Sequence, residues 1–450
     1  MNFPAYSKYK DSGVEWLGQV PDHWDVDRIK ASVESARNGI WGEEADSEGL
    51  DIPCVRVADF DRGTLSVKLN DPTMRKVTEK ERSGRVLLKG NLLLEKSGGG
   101  EGQPVGCVVL YDDEKPAVCS NFVARVELSD GMVSSFWRYV HAAAYSIRLT
   151  TCSINQTSGI QNLDQAAYFN ERAAFPSEEE QKAIGKFLDH ETTKIDALIH
   201  EQNRLVELLA EERHAVGSNS ITKGLNPLAA TKQTGVEWLG NVPSHWKIVA
   251  LKRLATVQCG VAKGKDYMGK DTVKAPYLRV ANVQDGYLDL EDVAEIEVGV
   301  EDVQRYQLRD GDVLMNEGGD FDKLGRGHIW REEIAGCIHQ NHVFAVRPTL
   351  VSSEWLNAVT GSAYAQFYFM TRSKQSTNLA SISSSNIMEL PVLLPPEDEQ
   401  REILLHIKRI QEKADLLAKE AEKAIALLKE RRSALIAAAV TGKIDVREAA

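Results

Sequence analysis

The stretch PSEEEQKAIGKFLDHETTKIDALIHEQNRLVELLAEERHAV, residues Pro176 to Val216, decides the fold, because a second copy of it closes the chain. Apolar positions taken in alternating steps of four and three are Ile184, Leu188, Glu191, Ile195, Leu198, Gln202, Leu205, Leu209, Glu212 and Val216, a heptad seam with three polar interruptions. Adding 219 to each number gives Ile403, Ile407, Ile410, Ala414, Leu417, Ala421, Ala424, Leu428, Arg431 and Leu435, the same seam in the same register. Both stretches open alike. Pro176-Ser177-Glu178-Glu179-Glu180-Gln181 is answered by Pro395-Pro396-Glu397-Asp398-Glu399-Gln400, with proline at the turn and carboxylates in the first turn, where the helix dipole favours them. The pattern is lost at matching places, near Gly217 and after Val440. At 1.5 Å per residue each helix runs roughly 55 to 60 Å, the length of a spacer.

The repeat extends beyond the helices. Gly13-Val14-Glu15-Trp16-Leu17-Gly18-Gln19-Val20-Pro21-Asp22-His23-Trp24 recurs as Gly235-Val236-Glu237-Trp238-Leu239-Gly240-Asn241-Val242-Pro243-Ser244-His245-Trp246. The strand phrase Ile52 to Asp59 is answered by Ala275 to Asn282, and Asn121-Phe122-Val123-Ala124-Arg125-Val126 by Asn341-His342-Val343-Phe344-Ala345-Val346. The chain is therefore a tandem duplication of an α+β unit with a mostly β core. Residues 1–175 form the first globular part, 176–216 the first long helix, 217–234 a linker, 235–394 the second globular part and 395–440 the second helix. The short linker implies that the second helix buries its seam on the first by running back, giving an antiparallel pair with one globular part at each end and an approximate two-fold axis. The polar seam positions Glu191, Gln202, Glu212 and Arg431 are candidates for setting the register.

Composition narrows the function classes. With 450 residues, 42% of them hydrophobic, the chain can bury more than one core. No apolar run reaches the roughly 20 residues of a membrane span and no secretory h-region follows Met1, so a cytoplasmic protein is expected. The six cysteines contain no C-x-x-C pair and are read as reduced, small hydrophobes, without metal or disulfide. A net charge of -12 argues against nonspecific coating of nucleic acid but leaves room for local basic patches.

Two acid-free runs stand out against 66 acids in the chain: residues 131–163 and 355–388, at matching places in the repeat. They carry Arg138, Arg148, Arg372 and Lys374 beside the polar series Asn155, Gln156, Thr157 and Ser158 in the first copy and Gln375 and Asn378 in the second. Amide, hydroxyl and guanidinium groups without acids suit phosphate positioning and base-edge reading; a Ser/Thr-rich surface loop is the plain alternative. Glycine-rich loops precede these runs, with Lys96 and Ser97 in the first copy and Asn316, Lys323 and Arg326 in the second, where backbone amides could approach a phosphate. An ordinary hairpin accounts for them equally well. Arg56 and Arg279 end matched strands and suit either a phosphate or an internal salt bridge. The tryptophans at 16, 24, 238 and 246 and the neighbouring His23 and His245 fit structural packing better than base stacking or catalysis. No metalloprotease, nucleophile-elbow, P-loop or methyltransferase motif is present, so no catalytic residue is assigned.

Taken together, Tyr277-Leu278-Arg279-Val280-Ala281-Asn282-Val283-Gln284-Asp285-Gly286, the Leu-Pro-Pro-x-x-Glu-Gln entry at Leu394 to Gln400 and the ending Ala439-Val440-Thr441-Gly442-Lys443-Ile444 resemble the DNA specificity subunit of type I restriction-modification systems. The resemblance covers nearly the whole chain and departs from the pattern at Phe175-Pro176-Ser177, where the cap is expected to be unaffected. It implies two target recognition domains, each reading half of a bipartite double-stranded DNA sequence, with the helices fixing the unread gap. It implies, too, that two methyltransferase subunits dock on helices 176–216 and 395–440, carry S-adenosylmethionine and methylate adenine N6, and that restriction subunits using ATP and Mg can join them. This chain would then bind no cofactor and catalyse nothing. A tandem-repeat scaffold for proteins or glycans, and an enzyme with one unrecognised site per repeat, are the other classes the residues allow.

Overall fold

The computed structural model describes residues 3–47, 49–100, 102–157, 159–236, 238–264, 266–321, 324–375 and 380–447. The chain is mixed α and β, and it separates into two compact units, 1–204 with 421–450, and 205–420. Two long helices, Glu178–Lys223 and Glu397–Val440, each begin in one unit and end in the other.

The first unit is built on a sheet in which Leu92–Glu95 lies between Val108–Leu110 and Val123–Leu128. Leu92, Leu93 and Leu94 are all fully buried because the strand is covered on both faces. Side chains alternate, so Leu92 and Leu94 enter the main core with Trp137 and Tyr168, while Leu93 enters a smaller core with Val55 and Tyr111. The second unit repeats the arrangement with Val313–Asn316: Val313 and Met315 join the main core with Trp246 and Trp355, and Leu314 faces the other way, toward Leu278 and Trp330. Gly39 and Gly260 occupy equivalent close approaches, where a Cβ would fall 2.0 Å from the Cys119 carbonyl oxygen and 1.9 Å from that of His339.

Each helix start is held by a tryptophan and a histidine. Trp24 Nε1 donates to Glu180 Oε1 at 3.2 Å and His23 Nε2 lies 3.0 Å from the same carboxylate. Trp246 and His245 hold Glu399 in the same way, at 3.1 and 2.7 Å. Burial raises the Glu180 pKa, but hydrogen bonds from His23 and Trp24 outweigh it and leave the group below the ordinary carboxylate range. The change from Ser177 to Pro396 amounts to two hydrogen bonds, since Ser177 Oγ accepts from the Glu180 amide and also donates to Glu180 Oε2 at 3.3 Å. The glutamine lock is common to both, Gln181 and Gln400 donating to the carbonyls of Pro176 and Pro395.

Within the first unit the two helix segments run antiparallel. Ile184 and Leu188 share a core with Ile436, Ala439 and Val440, and Asp196, further along the first helix, pairs with Arg432, earlier in the second, at 2.9 Å. The second unit contains the counterpart 219 residues away: Arg213 pairs with Asp415 at 3.0 Å, and Ile221 shares a core with Ile403 and Ile407. The seam differs in phase from the sequence expectation. Leu198 and Leu205 are 51% and 39% exposed, and Ile199 and Val206 take the half-buried positions in their place; Leu417 likewise yields to Ala418. Both members of each adjacent pair are apolar, so letter counting could not choose between a step of three and a step of four after Ile195.

The first helix also outlasts its expected end near Gly217. It continues to Lys223 because Ile221 is buried beside Trp246 and Leu239, and it stops at Gly224, whose φ of +70° suits a helix C′ position. The linker is shortened accordingly. In the first unit, the segment after Val440 packs on the N-terminal strands: Tyr9 donates to the Gly442 carbonyl at 3.1 Å, and the Asp445 amide to that of Pro4 at 2.7 Å.

Candidate nucleic-acid interface

The glycine-rich loop and the acid-free run of each unit, remote in sequence, meet in one small three-stranded sheet. In the first unit Ser97–Gly98 pairs with Ile160–Leu163, which pairs on its other side with Ile154–Thr157. Asn155 and Gln156 are exposed on this hairpin, and Ser97 Oγ donates to Asn162 Oδ1 at 2.5 Å. In the second unit Gly318–Gly319 pairs with Ala380–Ser381, and that strand with Lys374–Gln375, both of whose residues are exposed.

The two sheets are hung by the same pair of backbone bonds. The Lys96 amide donates to the Phe122 carbonyl at 2.8 Å and the Lys96 carbonyl accepts from Leu163 at 2.8 Å. In the second unit the Glu317 amide donates to the His342 carbonyl at 2.9 Å and its carbonyl accepts from Ile382 at 2.8 Å. The frame is therefore the same, but lysine stands in one copy where glutamate stands in the other.

Beside the first sheet lies an open groove of about 590 Å³, lined by Arg37, Asn38, Arg85, Lys96 and residues 163–166. Lys96 Nζ donates to Asn38 Oδ1 at 2.7 Å, and burial lowers its pKa from the ordinary lysine value. Arg85 is anchored by the Asn38 and Glu81 carbonyls. Asp164 brings a carboxylate to the rim, where it caps the helix Gln165–Phe169 by accepting from the Ala167 amide at 3.0 Å. Three cationic side chains along an open groove can hold a phosphate backbone in register with the adjoining hairpin.

The other sequence candidates are dispersed. Arg148 is exposed, with φ +61°, at the turn ahead of the hairpin, and Arg372 is exposed at the end of helix Ala363–Arg372, its Cζ 5.7 Å from the centre of the Tyr368 ring. Arg326 is half-buried in the second glycine-rich loop. Arg56 and Arg279 lie at turns and are taken up by carboxylates, Arg56 bidentate on Asp59 at 2.8 and 3.2 Å and Arg279 on Asp292 at 2.9 Å. Asn316 is the clearest correction. It is fully buried and its amide donates to the Val283 carbonyl at 2.8 Å, so it braces the core instead of facing a ligand. Its repeat equivalent is the buried Glu95, which is held by Arg62 at 2.8 Å. Ser158, Lys323 and Asn378 lie outside the described residues, as does the Thr157 side chain. Arg37 and Arg85 line the groove, and Phe122 and His342 supply the carbonyls that hold the sheets, without being singled out by the sequence pattern. The only sequence sign of the last two is a changed residue inside the otherwise kept Asn-x-Val phrase.

No family model matches the chain. Among curated proteins it is 24% identical over 305 residues to the type I restriction enzyme EcoKI specificity subunit of Escherichia coli K12, covering 66% of this chain and 62% of that one. The EcoBI specificity subunit of Escherichia coli is 22% identical over 343 residues, 74% of this chain and 70% of its own. This chain is a relative of type I restriction enzyme specificity subunits. Its match spans 62% of the length of the EcoKI and StySPI specificity subunits. The fold agrees: a solved chain from work on complex assembly and conformational transition of the type I R-M system superposes with a TM-score of 0.64, at 17% identity, over 94% of this chain and 98% of that one. Among the described residues no helix is long and apolar enough to cross a membrane.

Proposed function

We propose that this chain is the DNA sequence-specificity subunit of a type I restriction-modification complex, acting in the cytoplasm. Each unit is a target recognition domain that reads one half of a bipartite sequence. The two long helices, paired as a coiled coil, fix the unread gap and dock two methyltransferase subunits. The observation that carries this reading is the pair of small sheets, hung on a shared pair of backbone bonds yet presenting different polar side chains. A common frame with altered contact residues is what two different half-sequences require. Of the sequence candidates, Lys96, Ser97, Arg148, Asn155 and Gln156 in the first unit and Arg326, Arg372, Lys374 and Gln375 in the second remain as proposed contacts; Arg37 and Arg85 join them as phosphate-positioning groups. The chain itself performs no chemistry. Adenine N6 methylation with S-adenosylmethionine, and ATP- and Mg-dependent cleavage, would belong to the partner subunits.

Purified with its methyltransferase partners, the chain should protect a single split sequence, and binding indifferent to sequence would remove the claim. Salt titration separates it from a protein- or glycan-binding scaffold, since phosphate contacts give a steep loss of affinity with salt. Inserting four residues after Leu205 lengthens a helix by about 6 Å, close to two base-pair steps. The gap should lengthen with both half-sequences kept; an unchanged gap would show that the helices do not measure DNA.

A further inference from the structure

The turn that carries each small sheet ends in one large exposed side chain. Phe122 is 52% exposed although Val123 beside it is fully buried, and its carbonyl accepts from the amides of both Lys96 and Ser97. Its backbone is therefore fixed against the first strand of the sheet while its ring faces solvent. His342 holds the same place in the second unit, half-exposed, with its carbonyl accepting from Glu317. An aromatic ring left in water at a rigid turn forgoes the burial that the same ring would gain against a partner. At His342 the side chain is fixed as well, because Nδ1 lies 2.6 Å from Glu317 Oε2. In the neutral ring, a carboxylate at Nδ1 selects the tautomer protonated there, which presents Nε2 as an acceptor.

Resting on the specificity-subunit reading, we propose that Phe122 and His342 are base-contacting residues, each setting one position of its unit's half-sequence. Phe122 offers an apolar face to a thymine methyl group or an unstacked base edge, and the basic groove of Arg37, Arg85 and Lys96 holds the backbone alongside it. His342 offers an acceptor to the exocyclic amino group of adenine or cytosine, displacing the weak 3.4 Å contact from Asn341 Nδ2. The two positions are equivalent in the frame and opposite in chemistry.

The test uses the full chain in complex with its methyltransferase subunits in cells, with methylated positions mapped by sequencing of host DNA. The wild type defines the two half-sequences; Phe122→Ala, Phe122→Leu and His342→Ala are then mapped in the same way. Phe122→Ala should relax one position of one half by about tenfold, with the gap and the other half unchanged, and Phe122→Leu should retain part of the preference. His342→Ala should do the same to the other half only. Unchanged preference at every position in both alanine variants would overturn the proposal, as would a uniform loss of methylation on both halves, which marks a structural role. A wild-type complex that methylates no split sequence would instead sink the specificity-subunit reading on which it rests.

Discussion

The two units differ least in the contacts that hold their long-helix segments and most where the small sheets face solvent. The Trp-His grip on a first-turn glutamate occurs in both, as does the Asp-Arg pair between helix segments. At the sheets, the amide that hangs each one belongs to Lys96 in one unit and Glu317 in the other, and the turn it hangs from presents Phe122 or His342. Because the backbone bonds are unchanged, these substitutions alter the surface without altering its placement. A duplicated fold can thus keep one backbone frame and change the side chains that it presents.

A frame residue of one unit should fail locally and hard. Asp312 is fully buried and accepts both Nε and Nη2 of Arg347 at 2.7 Å, while the matching Asn91 is a neutral acceptor for Arg125 at 2.7 Å. Asp312→Ala should cost about 3 to 5 kcal/mol by stranding the guanidinium. Asn91→Ala should cost about 1 to 2 kcal/mol, since Arg125 keeps Glu127 and the Gly84 carbonyl. Amide hydrogen exchange resolved by unit measures both, and equal losses would show that the charge at Asp312 does not set its frame apart from that of Asn91. Next in size is Gly442→Ala. Both Gly442 and Gly224 have φ of +70°, but a Cβ at Gly442 would lie 2.3 Å from Pro21 Cδ, against 3.2 Å for the nearest atom at Gly224. The expected costs are about 2 to 3 and about 1 kcal/mol.

Acid should affect the two units together. Burial pushes His141 in the first unit and His339 in the second down to about 4. Each is neutral in the fold at pH 6 and takes up a proton on unfolding, so the unfolded state binds more protons between about 6.5 and 4. Stability therefore falls as pH falls through that window, by roughly 2 kcal/mol per histidine between pH 6.5 and 5. His141→Phe should flatten the pH dependence of the first unit alone; a slope unchanged there would show that other groups carry it.

How far the sequence discloses this comparison depends on whether a residue's partner is local or distant. The duplication, both helix starts and the structural role of the tryptophans follow from spacing and from the proline-carboxylate opening. The convergence of each glycine-rich loop with the acid-free run was not legible, because Ser97 and Asn162 are brought together only by sheet pairing. Asn316 departs from the sequence expectation for the same reason. Before a glycine loop it resembles a surface amide, but the carbonyl it serves, that of Val283, lies on another strand connection. The seam phase at Leu198 was underdetermined because Ile199 is equally apolar. Phe122 is not distinguished in the sequence, because a phenylalanine opening a strand normally belongs to the core.

The smallest effect separates the two surfaces most cleanly. Lys96 and Glu317 occupy one backbone position with opposite charge, and Glu317 lies against His342 while Lys96 reaches the groove with Arg37 and Arg85. If the first sheet meets a phosphate backbone, Lys96→Gln should weaken binding of the methyltransferase complex to its target by about 1 kcal/mol, evenly across sequences. The slope of log affinity against log salt should become shallower by about one. Glu317→Gln removes a negative charge facing the same polyanion and frees His342, so it should leave the slope unchanged or steepen it slightly while blurring one base preference. Slopes that move together in both variants would mean the sheets see no phosphate in common register, and the equivalence of the two surfaces would be of fold alone.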